Sequence, residues 1–545
     1  MFSSEVREKW LRTAESLKPE LRMHRVEPVR VVAIRHNERA FQKWEVEALP
    51  EDSGGVDSLT AKQWGRGESF VLDFGEYLVG RLEFDLLPAG TVDAPTRLTL
   101  VFGETAAEIA EPFDPYCGLL GRGWLQDETL TLETLPRRIR VERRCAFRYV
   151  KITVVDTSPA FSVRFSGVMC EQVSSADWGG VAPLSRMADG DIFPADILEI
   201  DKVSLRTLAC CMQTVFEDGP KRDRRLWVGD LRLQALVNYK SFQNYDLVKR
   251  CLYLFAALAK EDGEVTACVF EKPLPQAGHT NILDYSALFV NTLLEYAEAS
   301  GDWRTAAELW QVAKRQMEIV FGYVNSNGLF VDPGTWWIFI DWQEELRKQT
   351  AMHGVVICSL AAGALLAERL GFSGEAEQWS QRAEAMRRAA NEHLFCPQRK
   401  LFMSEPQECS KAQISWASQA WMVLAGVVRD AEARKLMRTL AVSPDAVRPA
   451  GPYLYHYVVD ALLYANLEEE AMKLLRGYWG GMVERGADTF WEVYDPEHPF
   501  LSPYNSYIMN SYCHAWSCTP AYFIRRFPKT FSRKNVHKLQ SRGRS

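Results

Sequence analysis

The sequence predicts a mainly α-helical protein with an N-terminal β domain, an (α/α)6 barrel preceded by a β-sandwich. Three observations carry this expectation. Apolar and polar residues alternate with period two up to about residue 155, and the period changes to 3.6 after about residue 193. The helical segments then alternate between wholly apolar and one-faced, which is what an inner ring wrapped by an outer ring requires. An open α-solenoid is the competing architecture, but no repeat of fixed period is visible.

Taken in order, residues 1–21 read as a leading helix. Residues 70–75, 80–86, 96–102 and 147–154 alternate apolar with polar residues between Gly, Pro and Asp breaks, the pattern of half-buried antiparallel strands. The Ser- and Gly-containing stretch after residue 174 reads as a connection. The boundaries expected are a β-sandwich over 1–175, a linker over 176–195, the barrel over 196–528 and a basic, disordered tail over 529–545. Helical segments are centred near 205, 236, 253, 290, 312, 360, 384, 420, 435, 458, 475 and 517. The one at 352–370 is apolar nearly all round, implying burial on all sides, whereas 375–394 puts Trp379, Ala383, Met386, Ala390 and Leu394 on one stripe. The segments at 285–299 and 303–323 meet across a tight Ser300-Gly301-Asp302 turn.

At 545 residues the chain exceeds what one core usually supports, so two or more domains are expected. Its net charge of −7 argues against a general nucleic-acid binder. The 12 cysteines are scattered without a Cys-x-x-Cys pair, the N-terminus has no apolar leader, and no run approaches the roughly 20 apolar residues of a membrane span. A cytoplasmic protein with no membrane or nucleic-acid partner is expected, with a homodimer as the assembly considered for a soluble enzyme of this size. No His-Glu-x-x-His or Walker loop occurs, so neither a metal nor a cofactor is expected.

The chemistry concentrates in four loop segments. The densest is 218–230, with Asp218, Arg222, Asp223, Trp227 and Asp230; it reads as a loop entering a helix near Asp230. The others carry Trp336, Trp337, Asp341, Trp342, Glu344 and Glu345; Asp488, Trp491, Glu492 and Tyr494; and His514 with Trp516. Each joins an aromatic to an acid or a His. Tryptophan serves a helical core as readily as a ligand, and Glu344 and Glu345 suit a helix N-terminus. Four such clusters at separate loops of one helical domain, in a chain with 17 Trp, nevertheless suggest a sugar pocket.

The first segment resembles the α-L-rhamnosidase signature of the six-hairpin glycosidase class, Asp-Cys-Pro-x-Arg-Asp-Glu-Arg-x-Gly-Trp-x-Gly-Asp. This chain keeps Asp218, Pro220, Arg222, Asp223, Trp227, Gly229 and Asp230. Asp488 to Glu492 resembles the family's Thr-x-Trp-Glu element, Ile340-Asp341-Trp342 its Asp-Trp element, and the His514 segment its closing motif. The resemblance runs from about residue 60 to 525 and implies inverting hydrolysis of a terminal α-L-rhamnoside. It makes Glu492 the base that activates water. The family's acid position falls on Arg224 counted from Asp218, and on Asp223 counted back from Trp227, Gly229 and Asp230. Asp223 is the expected proton donor, with Asp218 and Asp230 as alternatives. Holding that proton at neutral pH requires burial or neighbouring carboxylates to outweigh the adjacent arginines. The resemblance assigns substrate contacts to Asp218, Arg222, Trp227, Asp230, Asp341, Trp342, Trp491 and His514. The expected substrates are small rhamnosides or oligosaccharides. The rivals are a non-catalytic carbohydrate-binding relative and a same-fold hydrolase or lyase acting on another sugar, such as an unsaturated uronide.

Overall fold

The period-two stretch folds into antiparallel strands: β1 (Arg22–Val26), β2 (Arg30–His36), β3 (Trp44–Ala48), β4 (Ser69–Gly90), β5 (Thr96–Gly103), β6 (Asp127–Leu132), β7 (Arg137–Arg140), β8 (Cys145–Asp156) and β9 (Phe161–Ser174). They form one nine-stranded sheet in the order β1-β9-β4-β8-β5-β6, with β2 and β7 also paired to β4 and β3 paired to β2. β4 organises it. Its first half pairs with β8 and its second half with β9, and Gly80 sits at the change, opposite both Cys145 and Gln172. A Cβ at Gly80 would lie 2.2 Å from the Glu171 carbonyl oxygen, so only glycine allows the strands this close. Phe70, Leu72 and Phe74 alternate inward, a bulge between Asp73 and Leu78 resets the register, and Leu78, Leu82, Phe84 and Leu86 face the same core.

The computed structural model describes residues 2–50, 55–187 and 192–532; the expected tail from 533 onward and part of the expected linker lie outside them. The leading helix α1 (Ser4–Ser16) starts where the Ser3 hydroxyl accepts from Val6 N at 3.3 Å. Although it precedes the β domain in sequence, its buried Trp10 and Ala14 belong to the core of the helical domain. Its Arg7 donates to the carbonyls of Ala257 and Lys260 at 3.0 and 2.7 Å. Helix α1, expected within the 1–175 unit, therefore packs on the helical domain through its buried stripe.

That domain alternates outer and inner helices: α2 (Ala195–Cys211), α3 (Val228–Tyr239), α4 (Tyr245–Ala257), α5 (Leu283–Ser300), α6 (Trp303–Phe321), α7 (Gln349–Arg369), α8 (Ser373–His393), α9 (Trp416–Leu424), α10 (Asp430–Ala441), α11 (Pro452–Tyr464), α12 (Glu468–Glu484) and α13 (Pro520–Arg526). The inner helices α3, α5, α7, α9 and α11 pack neighbour on neighbour, and the turn at Ala515–Ser517 lies between α11 and α3. The α5–α6 hairpin turns at Gly301, whose φ of 75° is left-handed, and Asp302 caps α6 by accepting from Thr305 N at 3.0 Å. Helix α7 is long and apolar enough to cross a bilayer by composition, but most of it is buried inside the protein. The twelfth expected segment, near 517, begins its helix only at Pro520, because residues 510–519 are spent on the loop described below.

A buried ion cluster is among the contacts that bolt the β domain to the helical domain. Lys221 Nζ lies 2.8 Å from Glu104 and 3.0 Å from Glu108, and it donates to the carbonyls of Asn510 and Ile508. Glu104 also accepts from the Tyr77 hydroxyl at 2.6 Å and from Tyr512 N at 2.8 Å. Burial, only partly offset by Lys221, pushes the Glu108 carboxyl up to about 8. Lys221→Met would leave two buried carboxyls without their cation. We expect it to lower unfolding stability by about 3–5 kcal/mol in urea titrations; a loss below about 1 kcal/mol would show that the cluster contributes little.

Candidate active site

The segments preceding inner helices all open at one end of the ring, where helix N-termini present unpaired N–H groups and a positive dipole end. Acids collect there for that reason. Asp230 lies in the first turn of α3, Asp284 in that of α5, and Asp341 accepts from Ala450 N and Gly451 N, at the start of α11, at 2.7 and 3.1 Å.

Loop 218–227 is folded around Asp218. Its two carboxylate oxygens accept from Asp223 N and Arg225 N, both at 3.0 Å, and burial followed by the charge of Asp223 pushes its carboxyl up to about 7. This clamp turns successive side chains in different directions. Arg224 folds back, donating to the carbonyls of Pro220 and Lys221 at 2.9 and 3.2 Å. Arg222 points into the site and is 2% exposed. One of its terminal nitrogens donates to Glu492 Oε2, the other lies 3.3 Å from Asp223 Oδ1, and its Nε donates to Met509 O at 3.0 Å. One guanidinium width with a hydrogen bond at each end places the Asp223 and Glu492 oxygens within roughly 8 Å of each other.

Glu492 is 1% exposed. Two backbone bonds, Glu492 N to Ser511 O and His514 N to Phe490 O, lay its segment beside 511–514. Its Oε2 takes two donors, Arg222 and Ser511 N at 3.1 Å; its Oε1 takes one, the Tyr504 hydroxyl. Burial pushes this carboxyl up, but Arg222, His514 and those donors outweigh burial and hold it below the usual glutamate range. His514 Nε2 pairs with Asp230 Oδ1 at 3.1 Å, and against the effect of burial Asp230 and Glu492 hold the imidazole's pKa above its ordinary value. His514 Nδ1 and Trp342 Nε1 are buried without partners among the protein groups. Buried polar atoms left in that state call for a polar ligand or water.

Of the residues expected to touch a ligand, Asp218, Arg222, Asp223, Asp230, Glu492 and His514 thus form one connected cluster. Trp342 joins it through the Tyr504 ring, 5.9 Å away, and Trp516 by donating to the Glu492 carbonyl at 3.1 Å. Trp227 is half-buried at the edge, paired through its backbone with Cys268. Both oxygens of Asp341 are engaged by backbone N–H groups, and burial pushes its carboxyl up to about 7. Trp491 stacks on Phe41 of the β domain at 4.5 Å, packing against that domain while its neighbour Glu492 faces Arg222. Tyr504 and the Ser511 N–H were not foreseen. No charged residue or periodicity marks residues 499–507, and a backbone donor leaves no trace in residue types.

Tyr504→Phe removes a donor from the one oxygen of Glu492 that has only one. An ionised Glu492 adds stability above its unfolded value of about 4.5. That stability, like any activity needing the ionised form, is lost as the pH falls through the depressed folded value. Removing Tyr504 raises that value, so the acid limb of kcat/KM should move to higher pH in Tyr504→Phe; an unmoved limb would disconnect Tyr504 from Glu492.

Residues 28–172 match the glycosyl hydrolase family 78 alpha-rhamnosidase N-terminal domain, and residues 195–527 the bacterial alpha-L-rhamnosidase 6 hairpin glycosidase domain. Among solved structures the chain is similar to a rhamnosidase from Klebsiella oxytoca with rhamnose bound. The identity is 44% with a TM-score of 0.90, covering 96% of this chain and 99% of that one. A family 78 rhamnosidase of Bacillus sp. GL1 is 22% identical, with a TM-score of 0.71 over 89% of this chain and 50% of that one. A Streptomyces avermitilis α-L-rhamnosidase complexed with L-rhamnose is 16% identical, with a TM-score of 0.63 over 93% and 44%. At these identities the last two speak for the fold, and the chain spans about half their length. No curated protein matches. Among the described residues no group of three or more His, Cys, Asp or Glu is placed to hold a metal ion.

Proposed function

This chain belongs to the family 78 α-L-rhamnosidases and is a glycoside hydrolase, and from that premise we propose that it releases terminal α-L-rhamnose from small rhamnosides or oligosaccharides with inversion at the anomeric carbon. The observation that carries the reading is Arg222 holding Asp223 at one end of its guanidinium and Glu492 at the other. Inverting hydrolysis uses two carboxyl groups about 6.5–9.5 Å apart, leaving room for a water between sugar and base. A separation within roughly 8 Å is compatible with that range.

In this mechanism Asp223 gives its proton to the glycosidic oxygen as the bond to the anomeric carbon breaks. Glu492 takes a proton from a water that attacks the opposite face. Oε1 is its accepting oxygen, since Oε2 already receives Arg222 and Ser511 N. The depressed pKa of Glu492 keeps the base ionised at neutral pH. His514 Nδ1 and Trp342 Nε1 donate to sugar hydroxyls. The Klebsiella oxytoca relative, a rhamnosidase with rhamnose bound and 44% identical, supports the choice of sugar.

The test is proton NMR of the first turnovers on 4-nitrophenyl α-L-rhamnoside. Inversion predicts β-L-rhamnose ahead of mutarotation. First-formed α-L-rhamnose would overturn the inverting mechanism, binding without turnover would favour a non-catalytic relative, and an absorbing unsaturated product would indicate a lyase.

A further inference from the structure

The loop of the β domain between β5 and β6 reaches the mouth of the site. Leu119 N donates to the Tyr504 carbonyl at 2.9 Å, and Phe113 and Leu125 share a small core with Tyr504, Ile508 and Met509. Tyr116 and Trp124 pack on that core. The Tyr116 hydroxyl is buried without a partner among the protein groups, within electrostatic reach of Arg222. The half-buried Arg225 guanidinium lies 4.2 Å from the Phe270 ring centroid, 5.9 Å from that of Trp124, and 3.7 Å from Asp223 Oδ2. Phe270 belongs to the short hairpin following α4, whose first strand pairs with Leu226 and Trp227.

If Asp223 delivers its proton to the glycosidic oxygen, as in the mechanism above on which this inference rests, the leaving group begins at hydrogen-bond distance from Asp223. Whatever touches Asp223 from the mouth then flanks the leaving group. The geometry points to a leaving-group subsite shared by the two domains, in which Trp124, Arg225 and Phe270 hold a flat aromatic aglycone and the Tyr116 hydroxyl bonds a polar substituent on it. A guanidinium beside two aromatic rings presents a flat face on which a planar ring can stack. The two segments that carry these groups also carry exposed leucines, Leu119 at 68% and Leu274 at 74% exposure. A second sugar would ask for many hydrogen bonds, and of these residues only Tyr116 has a polar side-chain atom that is buried without a partner.

The experiment compares kcat/KM for 4-nitrophenyl and methyl α-L-rhamnoside in the full chain and in Trp124→Ala and Tyr116→Phe. The ratio within each variant cancels the folded fraction, and dividing it by the wild-type ratio cancels the intrinsic difference between the leaving groups. Trp124→Ala should lower the aryl-to-methyl ratio about tenfold, the scale of one well-placed aromatic contact. The shape-conserving Tyr116→Phe should lower it about threefold, the scale of one modest hydrogen bond. Inhibition by free rhamnose, which has no aglycone, should keep its constant in both. If the wild-type protein hydrolyses both glycosides and neither variant changes the ratio, the subsite is overturned while the reaction stands. If the wild-type protein hydrolyses neither, the reaction falls and this inference with it.

Discussion

Glu492→Gln should lower kcat about 10²–10⁴-fold on any α-L-rhamnoside, the range a positioned general base supplies. The substitution keeps the shape and much of the bonding. The new amide oxygen can accept from Arg222 and Ser511 N, and its NH2 can face the Tyr504 oxygen, which accepts as readily as it donates. What disappears is the negative charge that, in the proposed mechanism, draws the proton from water. Arg222 also loses its buried counter-charge, so a stability loss of about 1.5–3 kcal/mol should accompany the kinetic one. Azide needs no deprotonation and offers a second reading, since it should restore turnover of an activated aryl rhamnoside and yield the β-azide. A variant within tenfold of wild-type kcat, or one that azide does not help, would remove Glu492 from the role of base.

Asp223→Asn should show a loss that depends on the leaving group. A methyl or sugar leaving group has to be protonated as it departs, so kcat/KM should fall about 10²–10⁴-fold. A 2,4-dinitrophenyl group leaves as a stable anion and needs little help, so its loss should be far smaller. The comparison also separates the three aspartates of the loop. Asp218 binds two backbone N–H groups, and replacing it should loosen the 218–225 turn and slow all substrates alike. Asp230 is joined to His514, and its loss should act through sugar binding, again whatever the leaving group. Leaving-group dependence in Asp218→Asn or Asp230→Asn, and not in Asp223→Asn, would move the proton donor to that residue.

Much of the fold was legible because hydrophobic periodicity is a local quantity. The switch from period two to 3.6, the apolar run that became α7, the single-striped α8 and the turn at Gly301 are each written in a few neighbouring residues. The motif segments were legible for a related reason: they pack charge and aromatics between apolar runs, and four of their acids, Asp218, Asp223, Asp230 and Glu492, do meet in one cluster. Trp491 and Asp341 show the limit of that reading. Both have the residue type of a sugar site, yet one stacks on Phe41 and the other binds backbone at the start of α11. Residue type says what a side chain can do; the direction in which the backbone turns it decides what it meets.

The sequence by itself determined the order of the two domains, the alternation of inner and outer helices, and the short list of carboxylates from which an acid and a base are drawn. Tertiary structure alone decided that α1 crosses to the helical domain, that Arg222 and not Arg224 faces Glu492, that Tyr504 supplies the remaining donor to Glu492, and that a loop of the β domain packs against Tyr504. The physical reason is sequence separation. Arg222 and Glu492 are 270 positions apart, and a contact of that kind is set by how the whole ring closes and which surfaces remain to be buried, not by any pattern a short window of residues can hold.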